Sequence, residues 1–366
     1  MTERVVPEYT MQDGALPVTG LDELEAHLEE LVNDSSALFN AKLFDDVELQ
    51  LNESNIPPLL TTLLPPLTTI LKQTTQDPTP LLSLAIKLLS PLNFSRCLTI
   101  ADPPSLLAAL RSPLPGANLL ALAIIHKAAR TPGDAAILST IPDVLEEVVR
   151  RWLDSPDVGV GERAARVLGD ILETDCDVIV EGEGVNGVSA ATNGILGNEL
   201  VKRRVPGHAR IWRLLFLDRQ FITLITNLCR PETIDRQATL AQGRLLRILP
   251  RLTALNPRAV STTPFPDILP SPDSAAGHGL LQWAALTMVD TTDILMHLSL
   301  IDFFETFVSI MRVAGNSADK DKVVRDLVKT AADRDDQLKS SLRGLPDRTV
   351  EEEAVPLARY ISQILD

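Results

Sequence analysis

Aromatic side chains are scarce. Nine Phe, three Trp and two Tyr make up 4% of the 366 residues, while the hydrophobic share is 45%. Leu, Ala, Ile and Val must therefore fill the core, which suits helix packed on helix better than a β-sandwich. Cysteine is equally sparse. Cys97, Cys176 and Cys229 are odd in number and far apart. This excludes a disulfide framework and a cysteine-rich zinc site, and points to a reducing compartment. Basic residues are the minority, 34 against 49 acidic, for a formal charge of −15. A phosphate backbone repels such a chain, so direct nucleic-acid binding is not expected. No apolar run reaches the roughly 18–20 residues that span a bilayer, and the longest, Leu119–Ile125, reads as a buried helix segment. The opening MTERVVPEYT has no apolar signal core, so secretion is not expected and the three N-x-S matches at Asn33, Asn52 and Asn93 carry no meaning. The five histidines, His27, His126, His208, His278 and His297, share no ligand spacing, and H-E-x-x-H, G-x-S-x-G, P-loop and C-x-x-C motifs are missing. With no catalytic constellation, the reading is a non-enzyme without metal or cofactor.

What is present is helical repetition, clearest from Ile141 to Leu172. Pro142 suits the first turn of a helix that carries Val144, Leu145, Val148, Val149 and Trp152 on one side and Glu146, Glu147, Arg150 and Arg151 on the other. Ser155 offers an N-cap, followed by Pro156 and Asp157, for a second helix with Val160, Ala164, Val167, Leu168, Ile171 and Leu172 on its apolar face. Gly159 and Gly161 weaken its first turn, so the spacing predicts a start nearer Glu162. Two such helices cannot bury their faces alone. Asp77-Pro78 precedes another helix, Leu81–Leu89, two periods of about 38 residues upstream of Asp154-Ser-Pro. Between them lie Pro103–Arg111 and Ala117–Arg130, which gives three consecutive pairs at 56–91, 102–130 and 134–174.

The chain therefore reads as an all-α superhelix of the HEAT/armadillo-like solenoid class. A loose tail over 1–18 precedes N-terminal repeats over 19–174. Thr19 and Asp22 read as a capping box there, and Pro65-Pro66 as a kink or helix break in Pro57–Lys72. A glycine-rich insertion follows over 175–207, then C-terminal repeats over 208–366. Their expected helices are His208–Leu217, Arg219–Cys229, Thr233–Leu255 with a kink at Pro250, Gly279–Val289, Thr292–Val313, Ala318–Leu342 and Val350–Leu365. An extended loop fills 256–277, and the last helix, with Ala354, Leu357, Ala358, Ile361 and Leu365 inward, caps the stack.

Two motifs fall in the insertion. Gly182–Gly187 matches G-x-G-x-x-G, but Glu183 would crowd a pyrophosphate and no βαβ context follows. Lys202-Arg203-Arg204 reads as a solvated loop tip, with partner contact or nuclear import as the alternative. The stronger signal is a basic stripe on the second helix of each pair: Lys87, then Lys127 and Arg130, then Arg163 and Arg166 beside Asp170. Arg244, Arg247 and Arg251 continue it at i, i+3, i+7. Stacked in a solenoid these become a row along the concave face that fits a partner with acidic groups. The alternative is an ordinary solvated face with bases near helix C-termini.

The Arg163-Ala164-Ala165-x-x-Leu168-Gly169 stretch resembles a HEAT repeat. GHARIWRLLFLDRQFITLI (Gly207–Ile225) and AQGRLLRILPRLTALNP (Ala241–Pro257) are similar to the proteasome non-ATPase regulatory subunit 5 family, whose fungal members are often labelled DNA mismatch repair proteins. The resemblance implies a chaperone, without catalysis or cofactor, for assembling the base of the proteasome regulatory particle. It would hold the C-terminal helical domain of a base ATPase subunit in its concavity, as a monomer when free, with no membrane contact, in the cytoplasm or nucleus. A general HEAT adaptor and a mismatch-repair factor acting through protein partners are the alternatives.

Overall fold

A computed structural model describes residues 18–178, 206–230, 236–270, 277–315 and 317–366. Among these residues there are nineteen α-helices and no strand. In chain order they are α1 (Leu21–Asn33), α2 (Ala41–Glu48), α3 (Ile56–Gln73), α4 (Thr79–Leu89), α5 (Phe94–Ile100), α6 (Pro103–Leu110), α7 (Pro115–His126), α8 (Pro132–Leu138), α9 (Pro142–Asp154) and α10 (Val158–Asp175). After residues 179–205 come α11 (Arg210–Leu217), α12 (Arg219–Leu228), α13 (Arg236–Leu255), α14 (Pro257–Ser261), α15 (Leu280–Leu286), α16 (Ile294–Val313), α17 (Ala318–Ala332), α18 (Asp336–Gly344) and α19 (Glu351–Leu365). The class is all-α, helix packed on helix, as the aliphatic composition implied. Contacts divide it into two units: residues up to 92 together with 112–120, and 93–111 together with 121–366.

In the first unit α1 packs on α3, α2 on α4, and α3 on α4. Leu24, Leu28 and Leu31 of α1, Phe44 and Val47 of α2, Leu63, Leu67 and Leu71 of α3, and Leu81, Leu84 and Leu88 of α4 are buried. Of the kink or break expected at Pro65-Pro66, the break does not occur, and one expected cap is corrected. α3 is one helix through Pro65 and Pro66. Both prolines sit toward solvent, and the carbonyls that lose their N–H partners, on Thr61 and Thr62, belong to exposed residues that water can satisfy. No capping box forms at α1. Thr19 Oγ1 instead donates to Gln50 Oε1 at 2.8 Å, and Gly20 takes the cap position at φ 78°, where a side chain would be strained.

In the second unit α13 is the hub, packing on α9, α10, α14, α15 and α16. The α9–α10 pair forms as expected, but Asp157, not Ser155, is the cap: its Oδ1 accepts from Val160 N at 2.8 Å, and the helix starts at Val158 despite its two glycines. Ala318–Leu342 is two helices, because Asp335 accepts from Gln337 N and Leu338 N and starts α18 afresh. Short helices sit where none was expected: α5 capped by Asn93, α8 by Thr131, and α14 by Asn256. α13 passes through Pro250 as one helix. α16 is, among the described residues, the one single helix long and apolar enough by composition to cross a membrane. It has a buried side, including Phe303, Phe304 and Phe307, and packs on α13 and α18. α19 buries Leu357, Ile361 and Ile364, while Ala358 faces solvent. It is fastened by an Arg312–Glu353 ion pair and by Lys329 Nζ donating to Asp366 O at 3.1 Å.

Phe304 is fully buried, with its ring edge-on to Phe303 at 5.0 Å between centroids. Phe304→Ala is expected to cost about 3–5 kcal/mol in urea unfolding, the range for removing a buried aromatic.

Candidate partner-binding surface

Six of the charged side chains singled out in the sequence, Arg163, Arg166, Asp170, Arg244, Arg247 and Arg251, lie on α10 and α13, which pack together. Two glycines of α10 allow the approach. A Cβ on Gly161 would lie 2.5 Å from Arg244 Cζ, and one on Gly169 would lie 2.6 Å from Arg251 Nη1. Arg244 passes through the first gap. Its Nη1 donates to Leu153 O at 3.1 Å and Ser155 O at 2.8 Å, supplying donors to carbonyls at the end of α9. It is 7% exposed. Burial, opposed by Glu162, pushes its guanidinium below its usual value.

Arg251 fills the second gap and donates to Asp170 Oδ1 and Glu173 Oε2, both at 2.7 Å. Asp170 also contacts His126 Nε2 of α7 at 2.7 Å, and Arg163 Nη2 reaches His126 Nδ1 at 3.3 Å. Arginine can only donate, so Nδ1 accepts and the ring proton sits on Nε2, donating to Asp170. Burial raises the Asp170 carboxyl, but the bonds from His126 and Arg251 outweigh it and hold the group below the usual carboxylate range. Desolvation is likewise the largest influence on Arg251, and here too its carboxylate bonds prevail, raising the guanidinium. Arg247 pairs with Glu162 on the outside, both well exposed.

The expected row is thus only partly a surface. Arg130, Arg166 and Arg247 are exposed and Arg163 is half-buried, whereas Lys127 and Arg244 are buried. Burial and the nearby Arg130 push the Lys127 ammonium down. Lys87 belongs to the first unit, where its charge bears on Glu48. The two inward turns share a cause: an exposed row was inferred from helix periodicity alone, and neither the close approach of α13 nor the 3₁₀ turn Lys127–Ala129 follows from periodicity. Sequence reasoning read His126 as facing a groove rather than a metal, and missed Glu162, the ties of Glu173 and the contacts of His126 with Asp170 and Arg163. One signal was available, because His126 and Arg163 are 37 residues apart, close to one repeat.

Beside this surface the described residues on either side of 179–205 are tied together. Asp175, fully buried, accepts from Ile211 N at 2.7 Å and Trp212 N at 3.3 Å, its carbonyl accepts from Ala209 N at 2.8 Å, and Gly207 N donates to Cys176 O at 2.8 Å. A Cβ on Gly207 would lie 2.1 Å from the Asp175 carbonyl carbon, so only glycine fits. Trp212 Nε1 adds a bond to Leu172 O at 2.8 Å. The tail over 1–17, the Gly182–Gly187 match and Lys202-Arg203-Arg204 lie outside the described residues. Among the described residues no three His, Cys, Asp or Glu side chains converge as a metal site. No protein-family model and no curated protein matches the chain.

The two kinds of helical glycine should respond oppositely to a methyl group. A Cβ on Gly243 of α13 would meet nothing within 4 Å, so Gly243→Ala is expected to stabilise by about 0.5–1 kcal/mol through helix propensity. Gly161→Ala, the same exchange on α10, is expected to destabilise by about 1–3 kcal/mol, because it drives Arg244 off its carbonyls; urea unfolding reads both signs. Asp170 has a depressed folded value, so its contribution is present above the unfolded carboxylate value of about 3.9 and is lost as pH falls through the folded one. The stability gap between wild type and Asp170→Asn is therefore expected to be open at neutral pH and to close in acid.

Proposed function

We propose that this chain is a non-enzymatic chaperone for assembly of the proteasome regulatory-particle base, holding the C-terminal helical domain of a base ATPase subunit on the α10–α13 surface. The observation that carries the reading is a coincidence of two features. The stretches similar to the proteasome subunit 5 family, Gly207–Ile225 and Ala241–Pro257, form α11, α12 and α13, and α13 supplies Arg244, Arg247 and Arg251 to the charged surface. In a chain of charge −15, that surface exposes Arg166 and Arg247. Such cations attract an acidic partner and set its register more than they add raw affinity.

Function then needs no chemistry. A partner held here would be blocked from docking onto the proteolytic core until the base is built, and would be released by competition. A cytoplasmic or nuclear site of action goes with that role. The same all-α surface also suits an adaptor for another helical protein, and a repair role through protein partners is the further variant.

The test is affinity capture with each base ATPase C-terminal domain in turn. One domain is expected to bind, with affinity falling as salt rises. Arg166→Glu with Arg247→Glu is expected to weaken it at least about tenfold, with helicity by circular dichroism unchanged. Capture of none of the domains would overturn the reading, and unchanged affinity in the double variant would remove the α10–α13 surface from it.

A further inference from the structure

The first turns of α16 leave apolar surface uncovered. Ile294 is 75% exposed, Leu295 74% and Leu298 49%. Many other exposed large aliphatics stand alone in sequence, but these three cluster within five residues, and Leu295 and Leu298 sit one turn apart on one helix face. A contiguous exposed apolar patch with a polar rim marks an interaction site more often than chance exposure does.

The rim is acidic. Asp290 and Asp293 lie in the turn that enters α16, and Asp302 continues the exposed face one turn beyond Leu298. On the flank, His297 Nε2 contacts Asp335 Oδ2 at 2.6 Å, which brings the start of α18, with Asp335 and the exposed Asp336, against the start of α16. Of the cations on that flank, Lys339 is paired with Asp333 at 3.6 Å and exposed Arg334 stands between Asp333 and Asp335, so carboxylates outnumber them. A second copy of this patch would bring carboxylates against carboxylates. A surface of anionic lipid would meet the same repulsion.

We infer that the start of α16 is a docking site for a cationic amphipathic helix of a partner protein. Two or three aliphatic side chains at i, i+3, i+4 spacing would cover Ile294, Leu295 and Leu298, while Lys or Arg on its flanks meet Asp290, Asp302 and Asp336. The site is separate from the α10–α13 surface and has the opposite charge preference, so neither reading rests on the other.

The probe is a synthetic Leu/Lys peptide with leucines at helical spacing, its binding to the full chain followed by fluorescence anisotropy. Leu295→Ser with Leu298→Ser, both exposed and so compatible with an unchanged fold by circular dichroism, is expected to weaken binding at least about tenfold. Asp290→Asn with Asp302→Asn is expected to weaken it less and to flatten its salt dependence. Equal binding of a peptide with Glu in place of Lys, or binding indifferent to the leucine variants, would overturn the inference. It would also be overturned if the leucine variants abolished self-association in size-exclusion chromatography, which would assign the patch to a second copy, or abolished binding to phosphatidylcholine vesicles, which would assign it to a membrane.

Discussion

The second unit depends on how closely α13 can approach α10. Helices normally keep roughly 8–10 Å between axes because side chains stand between them. Here Gly161 and Gly169 remove two of those side chains, and the vacated space holds arginine heads instead of methyl groups. Burying a guanidinium is costly unless its donors are used. Arg244 uses one nitrogen on two carbonyls at the end of α9, and Arg251 uses one on two carboxylates of α10. The contact therefore orders three helices at once. Because α13 also carries α14, α15 and α16, the rest of the unit is placed through it.

That arrangement explains which parts could be read from sequence. The apolar face of α10, with Val160, Ala164, Val167, Leu168, Ile171 and Leu172, follows from spacing, and all six are buried. The α9–α10 pair, α4 and most later helices follow for the same reason, since aliphatic periodicity reports what a helix buries. Caps were less legible. Ser155 and Asp157 are both good candidates on type alone; Asp157 is the one that caps α10, while Ser155 ends α9 and its carbonyl accepts from Arg244, 89 residues away. The gap in α17–α18 was hidden because apolar spacing continues across it, and only the Asp335 side-chain bonds betray the restart. For the surface, residue type identified charge but not direction. Glycines that looked like weak points in a helix were the openings that turned Arg244 inward.

The two surfaces differ in the information they carry. Around α10 and α13 most charges are satisfied internally, and few cations are left at the outside. At the start of α16 the apolar side chains of Ile294, Leu295 and Leu298 are largely exposed, and carboxylates lie nearby. The chain's strong negative charge makes the first surface locally exceptional and the second consistent with its overall field.

The clasp of Asp175 and Cys176 with Gly207 and Ala209 has a topological consequence. Gly207 N donates to Cys176 O and Ala209 N to Asp175 O, so the described residues on either side of 179–205 are held together. α11 takes its cap from the last residue of α10, so the two helices are joined in space as directly as if they were neighbours in sequence. These bonds, all between described residues, hold α11 against the end of α10. At such a junction a chain can be lengthened, exchanged for another sequence, or opened to give new termini, while the helices on either side keep their places.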